Sequence, residues 1–174
     1  MFILVTGGAA SGKSAYGESL LDGWRGPKYY VATMLIQDEE SVQRVARHRA
    51  ARMGKGFFTL ERGLDLAGLR LPELGAGVLV ECLSNLVANE RFSPHGAGER
   101  AKEAVLKGMD TLLDQAPVVV VVTNEVFSDG VSYDPDTQDY LRLLGELNTA
   151  LAKRADHVVE VVCGLPVFHK GGRP

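Results

Sequence analysis

Cysteine is scarce: Cys82 and Cys163 are the two in 174 residues, far apart, and each follows a strand-like apolar run. Two lone thiols make neither a disulfide framework nor a zinc knuckle, so the sequence predicts a protein of the reducing cytoplasm. Long apolar stretches are missing as well. The run that ends at Val122 is far below the ~20 residues that a membrane helix needs. There is no surplus of positive charge, since 19 Lys and Arg stand against 22 Asp and Glu for a net charge of −3. Bulk charge therefore does not draw the chain to nucleic acid, and only a local basic patch is left to do so. No leader segment is expected, because Met1-Phe2-Ile3-Leu4-Val5 runs straight into a motif. What is present, 45% hydrophobic and 24% charged residues, suits one globular domain over residues 1–174 with a real core.

Apolar, β-branched segments recur at 2–6, 29–33, 78–83, 118–123 and 157–162. They are continuous rather than alternating, as strands covered on both faces are. Helical spacing occupies 13–21, 38–53, 99–115 and 137–154, the last with a stripe of Leu141, Leu144, Leu147, Leu151 and Ala152. Strands alternating with helices predict an open α/β sheet with right-handed crossovers. Loops rich in Gly, Pro and Asp are expected at 54–56, 94–98 and 128–136, and the tail 171–174 is expected to fray.

Directly after the first strand and before the first helix stands Gly7-Gly8-Ala9-Ala10-Ser11-Gly12-Lys13-Ser14. It fits the pattern G-x-x-x-x-G-K-[ST] in the context that pattern requires. Small residues let successive N–H groups turn inward around an anion, and the following helix adds the positive end of its dipole. Lys13 is then expected to reach the β- and γ-phosphates, and the Ser14 hydroxyl to bind Mg²⁺. Such a triphosphate site also needs an acid at a neighbouring strand end. Glu81, after Val78-Leu79-Val80, is the best placed, because a carboxylate closing an apolar strand is costly unless it meets a cation or metal. Glu125, after Val121-Val122-Thr123-Asn124, is a second candidate for the same cleft; either acid is alternatively a satisfied structural one. Ligands of open α/β sheets sit at the carboxyl ends of strands, which is where these residues fall.

The predicted helix 38–53 has Val42, Val45, Ala46, Ala50 and Met53 on its apolar face, and Arg44, His48 and Arg52 share another face. From Gln43 to Lys55 there are Arg44, Arg47, Arg49, Arg52 and Lys55 and no acid. Such crowding of like charge destabilises a bare helix, which points to an anionic ligand. Arginine suits phosphate because its planar fork binds two oxygens at once. Positive neighbours also disfavour imidazolium, keeping His48 neutral and nucleophilic near pH 7. On these residues alone, a histidine among arginines is more often a solvated surface residue, and docking of RNA or an acidic partner is the other plain reading. His95, His157 and His169 have no metal-like partner at i+3 or i+4, so a zinc site is not expected.

Taken together, the phosphate loop, Val31-Ala32-Thr33, Asp38-Glu39-Glu40, Arg44-Val45 with His48-Arg49, and Glu61 form a recognisable series. Glu81-Cys82-Leu83, Val122-Thr123-Asn124-Glu125 and Gly164-Leu165-Pro166 complete it. From Phe2 to about Lys170 the chain resembles the bifunctional adenosylcobinamide kinases/adenosylcobinamide-phosphate guanylyltransferases of cobalamin synthesis. The resemblance implies a RecA-like P-loop fold, a mostly parallel central sheet with helices on both faces. It implies that ATP or GTP phosphorylates the aminopropanol hydroxyl of adenosylcobinamide. It further implies that GTP guanylylates a histidine, here His48, whose GMP passes to the new phosphate to give adenosylcobinamide-GDP. Gly7, Gly8, Ala9, Ala10, Ser11, Gly12, Lys13 and Ser14 match the nucleotide loop, Lys13 being a catalytic group with His48. Thr33, Arg49, Arg52, Glu61 and Glu81 fall around the nucleotide, with Ser14 and Glu81 on Mg²⁺. A homo-oligomer is implied, and neither nucleic acid nor a membrane span. Two stretches depart from the family pattern: Val87-Ala88-Asn89-Glu90-Arg91-Phe92, and Glu146-Leu147-Asn148, where a basic residue is replaced while Asn148 is kept.

Two other readings stay open on the sequence. A simple small-molecule kinase would transfer γ-phosphate with no covalent intermediate and tolerate His48→Asn. A nucleotide-dependent switch would hydrolyse slowly and couple to a partner, but Asn124 is followed by Glu125-Val126 rather than completing the Asn-Lys-x-Asp of guanine switches.

Overall fold

The structure is a computed structural model that describes residues 1–35, 54–126, 130–131 and 133–174. The predicted helix 38–53, with His48, Arg49 and Arg52, lies outside the described residues.

One sheet of seven strands organises the described chain: β1 (Phe2–Thr6), β2 (Lys28–Ala32), β3 (Phe57–Glu61), β4 (Gly77–Val80), β5 (Val118–Val122), β6 (His157–Val162) and β7 (Leu165–Lys170). Their spatial order is β3-β2-β4-β5-β1-β6-β7. The first six run parallel, and β7 returns antiparallel along β6. The helices are α1 (Lys13–Ser19), α2 (Leu83–Phe92), α3 (Ala101–Gln115) and α4 (Pro135–Arg154).

Two-sided burial explains the composition of the strands. All five valines of β5 are buried. Alternate side chains point to opposite faces. Val119 and Val121 join the cluster that includes Leu83, Leu86, Val105, Met109, Leu112, Leu144, Leu147 and Leu151 from α2, α3 and α4. Val118, Val120 and Val122 join Ile3, Val5, Leu79 and Leu21 on the face that α1 covers. Leu144, Leu147 and Leu151 are fully buried, each worth about 1.5–3 kcal/mol.

Three elements differ from expectation. The strand predicted to run to Leu83 stops at Val80, and Leu83 opens α2 instead. The cause is local: Cys82 is extended and its Sγ accepts a bond from Asn85 N, capping a helix that the apolar run disguises. β3 was not expected, because Phe57-Phe58-Thr59-Leu60-Glu61 is an edge strand with mostly exposed or half-buried side chains. β7 was not expected either. Cys163 (φ 50) and Gly164 (φ 81) form a two-residue turn with both residues left-handed, the geometry that folds a strand back on its neighbour.

Candidate active site

Because β1, β2, β3, β4 and β5 are parallel, their carboxyl ends share one edge of the sheet. The residues after β1 form the phosphate loop, which passes into α1 at Lys13. The curl depends on unusual backbone: Gly12 has φ 92, and Ala10 has φ 55. An alanine held in the left-handed region is strained, by about 1–3 kcal/mol, and such strain gathers at ligand clamps. Inside the loop Ser11 N donates to Gly8 O at 3.3 Å, and Tyr16 N donates to Gly12 O at 3.0 Å. Among the described residues, the Ser11 hydroxyl is buried with no hydrogen-bond partner. A buried donor without a partner costs about 1–3 kcal/mol, so an anion taken into this loop would relieve it. Lys13 Nζ donates to Gly8 O at 3.0 Å, and burial pushes its pKa down. Both flanks of the loop are tied. Glu125 N donates to Gly7 O at 3.0 Å on the β5 side, and Gly164 N in the β6–β7 turn donates to Ser11 O at 2.8 Å.

Glu81 follows β4 and is buried, its N–H continuing the ladder to Val31 O at 3.1 Å. Ser14 stands exposed in the first turn of α1. A hydroxyl and a carboxylate are the hard oxygen donors that suit Mg²⁺, which takes one or two protein ligands and the rest from phosphates and water. Thr33 is fully buried, and its hydroxyl donates to Cys82 O at 2.8 Å. Glu61 closes β3, exposed, in register with Ala32. In the strand order it stands four places from β1, roughly 19 Å at the spacing of neighbouring strands. The structure thus brings Gly7–Ser14 together with the ends of β4 and β5, and sets Glu61 along the same edge but apart from the loop.

A polar layer beneath this edge was not anticipated. Asn89, on α2, donates both amide hydrogens, to Thr33 O at 2.7 Å and to Gly63 O at 3.0 Å, linking the chain just past β2 and β3. Thr123 Oγ1 donates to Asn148 Oδ1 at 2.8 Å, and Asn124 N donates to Ser84 Oγ at 3.3 Å. The sequence offered no signal for this role, since the helix that carries Asn89 was itself not read from it. Burial raises the Cys82 thiol pKa, and the sulfur accepts from Asn124 Nδ2 at 3.8 Å. The segment between β2 and β3 returns at Lys55, which pairs with the buried Glu18 on α1.

The profile of the family described as cobinamide kinase / cobinamide phosphate guanyltransferase matches residues 3–168. The chain belongs to this family. It is 34% identical over 180 residues to the bifunctional adenosylcobalamin biosynthesis protein CobU of Escherichia coli K12, covering 96% of this chain and 98% of that one. The Salmonella typhimurium protein of the same name is 33% identical with the same coverage. The CobP protein of Pseudomonas aeruginosa is 34% identical over 173 residues, 97% of this chain and 96% of that one. Among solved structures, a type III secretion ATPase aligns over 97% of this chain and 56% of its own, with TM-score 0.50 and 12% identity. A protein from Pyrococcus horikoshii OT3 aligns over 99% and 87%, with TM-score 0.52 and 9% identity. These structural likenesses speak for the fold alone, a RecA-like P-loop α/β sheet. The cobinamide kinase/guanyltransferase family uses nucleotides, which agrees with a phosphate loop at the carboxyl end of β1. No described helix is long and apolar enough to cross a membrane.

Proposed function

We propose that this chain phosphorylates adenosylcobinamide with ATP or GTP and then guanylylates the product through His48, giving adenosylcobinamide-GDP. The observation that carries this reading is the strained loop Gly7–Ser14, its Ser11 hydroxyl buried and unpartnered among the described residues, at the edge where Glu81 follows β4. In the kinase step the loop's N–H groups hold the phosphates, and Lys13 exchanges Gly8 O for the β- and γ-phosphate oxygens. Ser14 and Glu81 would hold Mg²⁺, which neutralises charge on the phosphates. In the second step an imidazole nitrogen of His48 bonds to the α-phosphorus of GTP, and the bond to the bridging oxygen breaks with loss of pyrophosphate. The phosphate of the corrinoid then displaces the imidazole. Splitting one difficult transfer into two displacements is the use of a covalent nucleophile.

Arg49 and Arg52 stabilise the charge at phosphorus, and Thr33 and Glu61 border the GTP of the second step, on the β2–β3 side of the sheet edge. Two anchors support bringing this basic segment to the loop: its start leaves Thr33, held by Asn89 and Cys82, and its end returns to α1 through Lys55 and Glu18. The chain works in the cytoplasm as a single domain and as a homo-oligomer. Exposed Leu165, Val167 and Phe168 on the edge strand β7 support the association, which sedimentation of the purified protein tests. Mass spectrometry of protein incubated with Mg²⁺ and GTP, intact and after digestion, is expected to find a GMP adduct and to locate it on the peptide that contains His48. The adduct is expected to vanish in His48→Asn. An adduct that persists in the variant removes His48 from this role, and one that never forms overturns the covalent step and leaves the simple kinase.

A further inference from the structure

A cavity of about 530 Å³ opens beside the phosphate loop, within the range of small-molecule sites. Ala9 of the loop forms one wall, Glu125 and Val126 beyond β5 another, and Tyr133, Tyr140 and Leu141 before and on α4 the third. Its walls are largely fixed. Glu125 N is bonded to Gly7 O, Tyr140 OH donates to Ser84 O at 3.3 Å, and Asp134 caps α4 by accepting from Thr137 N at 3.0 Å. Its mouth is open, since Ala9 and Val126 are exposed. The lining is aromatic and aliphatic with a single carboxylate and the Thr137 hydroxyl, which donates to Asp134, a composition for a neutral, partly apolar group that carries a hydroxyl and ill suited to a polyphosphate.

We propose that this cavity receives the hydroxyl-bearing arm of the phosphoryl acceptor, with the Glu125 carboxylate accepting the hydroxyl's hydrogen bond. The inference rests on the kinase reading above and adds where the acceptor enters. Its basis is the in-line geometry of phosphoryl transfer: incoming oxygen and leaving nucleoside diphosphate lie on opposite sides of the phosphorus. Acceptor and nucleoside must therefore approach the loop from opposite flanks. One flank is the β6–β7 turn, bonded to Ser11; the other is this cavity, at Ala9. The acceptor oxygen bonds to the γ-phosphorus as the bond to the β-phosphate oxygen breaks, the electron pair leaving on the nucleoside diphosphate. The hydroxyl proton passes to Glu125 and from there to water. The volume admits an amino-alcohol arm, and the macrocycle that bears it remains at the mouth.

The test compares wild type, Glu125→Gln and Leu141→Trp in steady-state transfer from ATP to cobinamide, with nucleotide affinity from titration of a fluorescent ATP analogue and with thermal melts as a folding check. Glu125→Gln is expected to lower kcat about 10²-fold, the usual scale for a positioned base. Leu141→Trp, which fills the cavity, is expected to raise the KM for cobinamide about tenfold, in line with one lost apolar contact or a small clash. Both are expected to keep wild-type nucleotide affinity. Should the tryptophan variant fail to fold, the isosteric glutamine variant decides. Unchanged transfer by folded variants overturns the cavity's role while the kinase reading stands. Loss of nucleotide affinity parallel to loss of transfer overturns it too, by giving the cavity to the nucleoside. A wild type that binds nucleotide and transfers nothing to cobinamide overturns the kinase reading and this inference with it.

Discussion

At the scale of single residues, the loop and the polar layer beneath it make distinct predictions. In the proposed kinase step Lys13 supplies charge where the transferred phosphoryl group develops it, so Lys13→Ala is expected to lower phosphoryl transfer by at least about 10²-fold, measured by steady-state kinetics, with little change in melting temperature because its one described bond is to a loop carbonyl. Asn89 behaves in the opposite way. Its amide satisfies two backbone carbonyls at 2.7 and 3.0 Å. Asn89→Asp removes both donors and turns a carboxylate toward two acceptors, so a loss of about 2–4 kcal/mol in unfolding free energy is expected from chemical denaturation. The place of the loop that carries Lys13, between β1 and α1, was legible in the sequence, because the pattern fixes residue types at fixed spacing. Asn89 was not, because its role depends on Thr33 and Gly63, far away in the chain, coming to the same place.

At the scale of elements, α1 is pressed against the sheet. A Cβ added at Gly17 would stand 2.9 Å from Val122 Cγ2 and 3.4 Å from Leu79 Cδ1. Gly17→Val is therefore expected to destabilise by about 1–3 kcal/mol through overpacking, and to weaken nucleotide binding as well, since α1 carries Lys13 and Ser14; thermal melts and nucleotide titration read the two effects. The long helix α4 begins at Asp134, whose side chain accepts from the backbone and the hydroxyl of Thr137. Asp134→Ala is expected to lower the melting temperature by a few degrees. The buried parallel strands β1, β2 and β5 were readable because burial on both faces makes them continuous apolar runs, and the amphipathic helices α3 and α4 because burial on one face imposes a helical period. β3 and β7 were not, since edge strands meet solvent and carry no such constraint. α2 was concealed by Leu83, which extends the apolar run of β4 past a cap that a cysteine rarely provides.

At the scale of the molecule, helices α2, α3 and α4 are joined by an ion-pair network: Arg91 with Glu99 and Asp139, Arg142 with Asp139 and Glu146, and Lys102 with Glu146. Hydrogen bonding to Arg142 and then Arg91 holds the Asp139 pKa below its ordinary value, and Lys102 followed by Arg142 does the same for Glu146. A carboxylate whose folded pKa is depressed adds stability above its unfolded pKa, and that contribution is lost as pH falls through the folded one. Melting temperature is accordingly expected to be level from neutral pH to about 5 and to fall below about 4. Added salt is expected to reduce the size of the step, since these groups are solvent-accessible. A profile with no acid limb would remove the network from the stability of the three helices.

The turn that reverses the chain between β6 and β7 also furnishes a handle. Cys163 lies exposed there, one residue from the amide that grips Ser11, whereas burial shields the Cys82 thiol and raises its pKa. A thiol-directed fluorophore would therefore settle on a single, naturally present atom, and its emission would register nucleotide capture without any engineered attachment point.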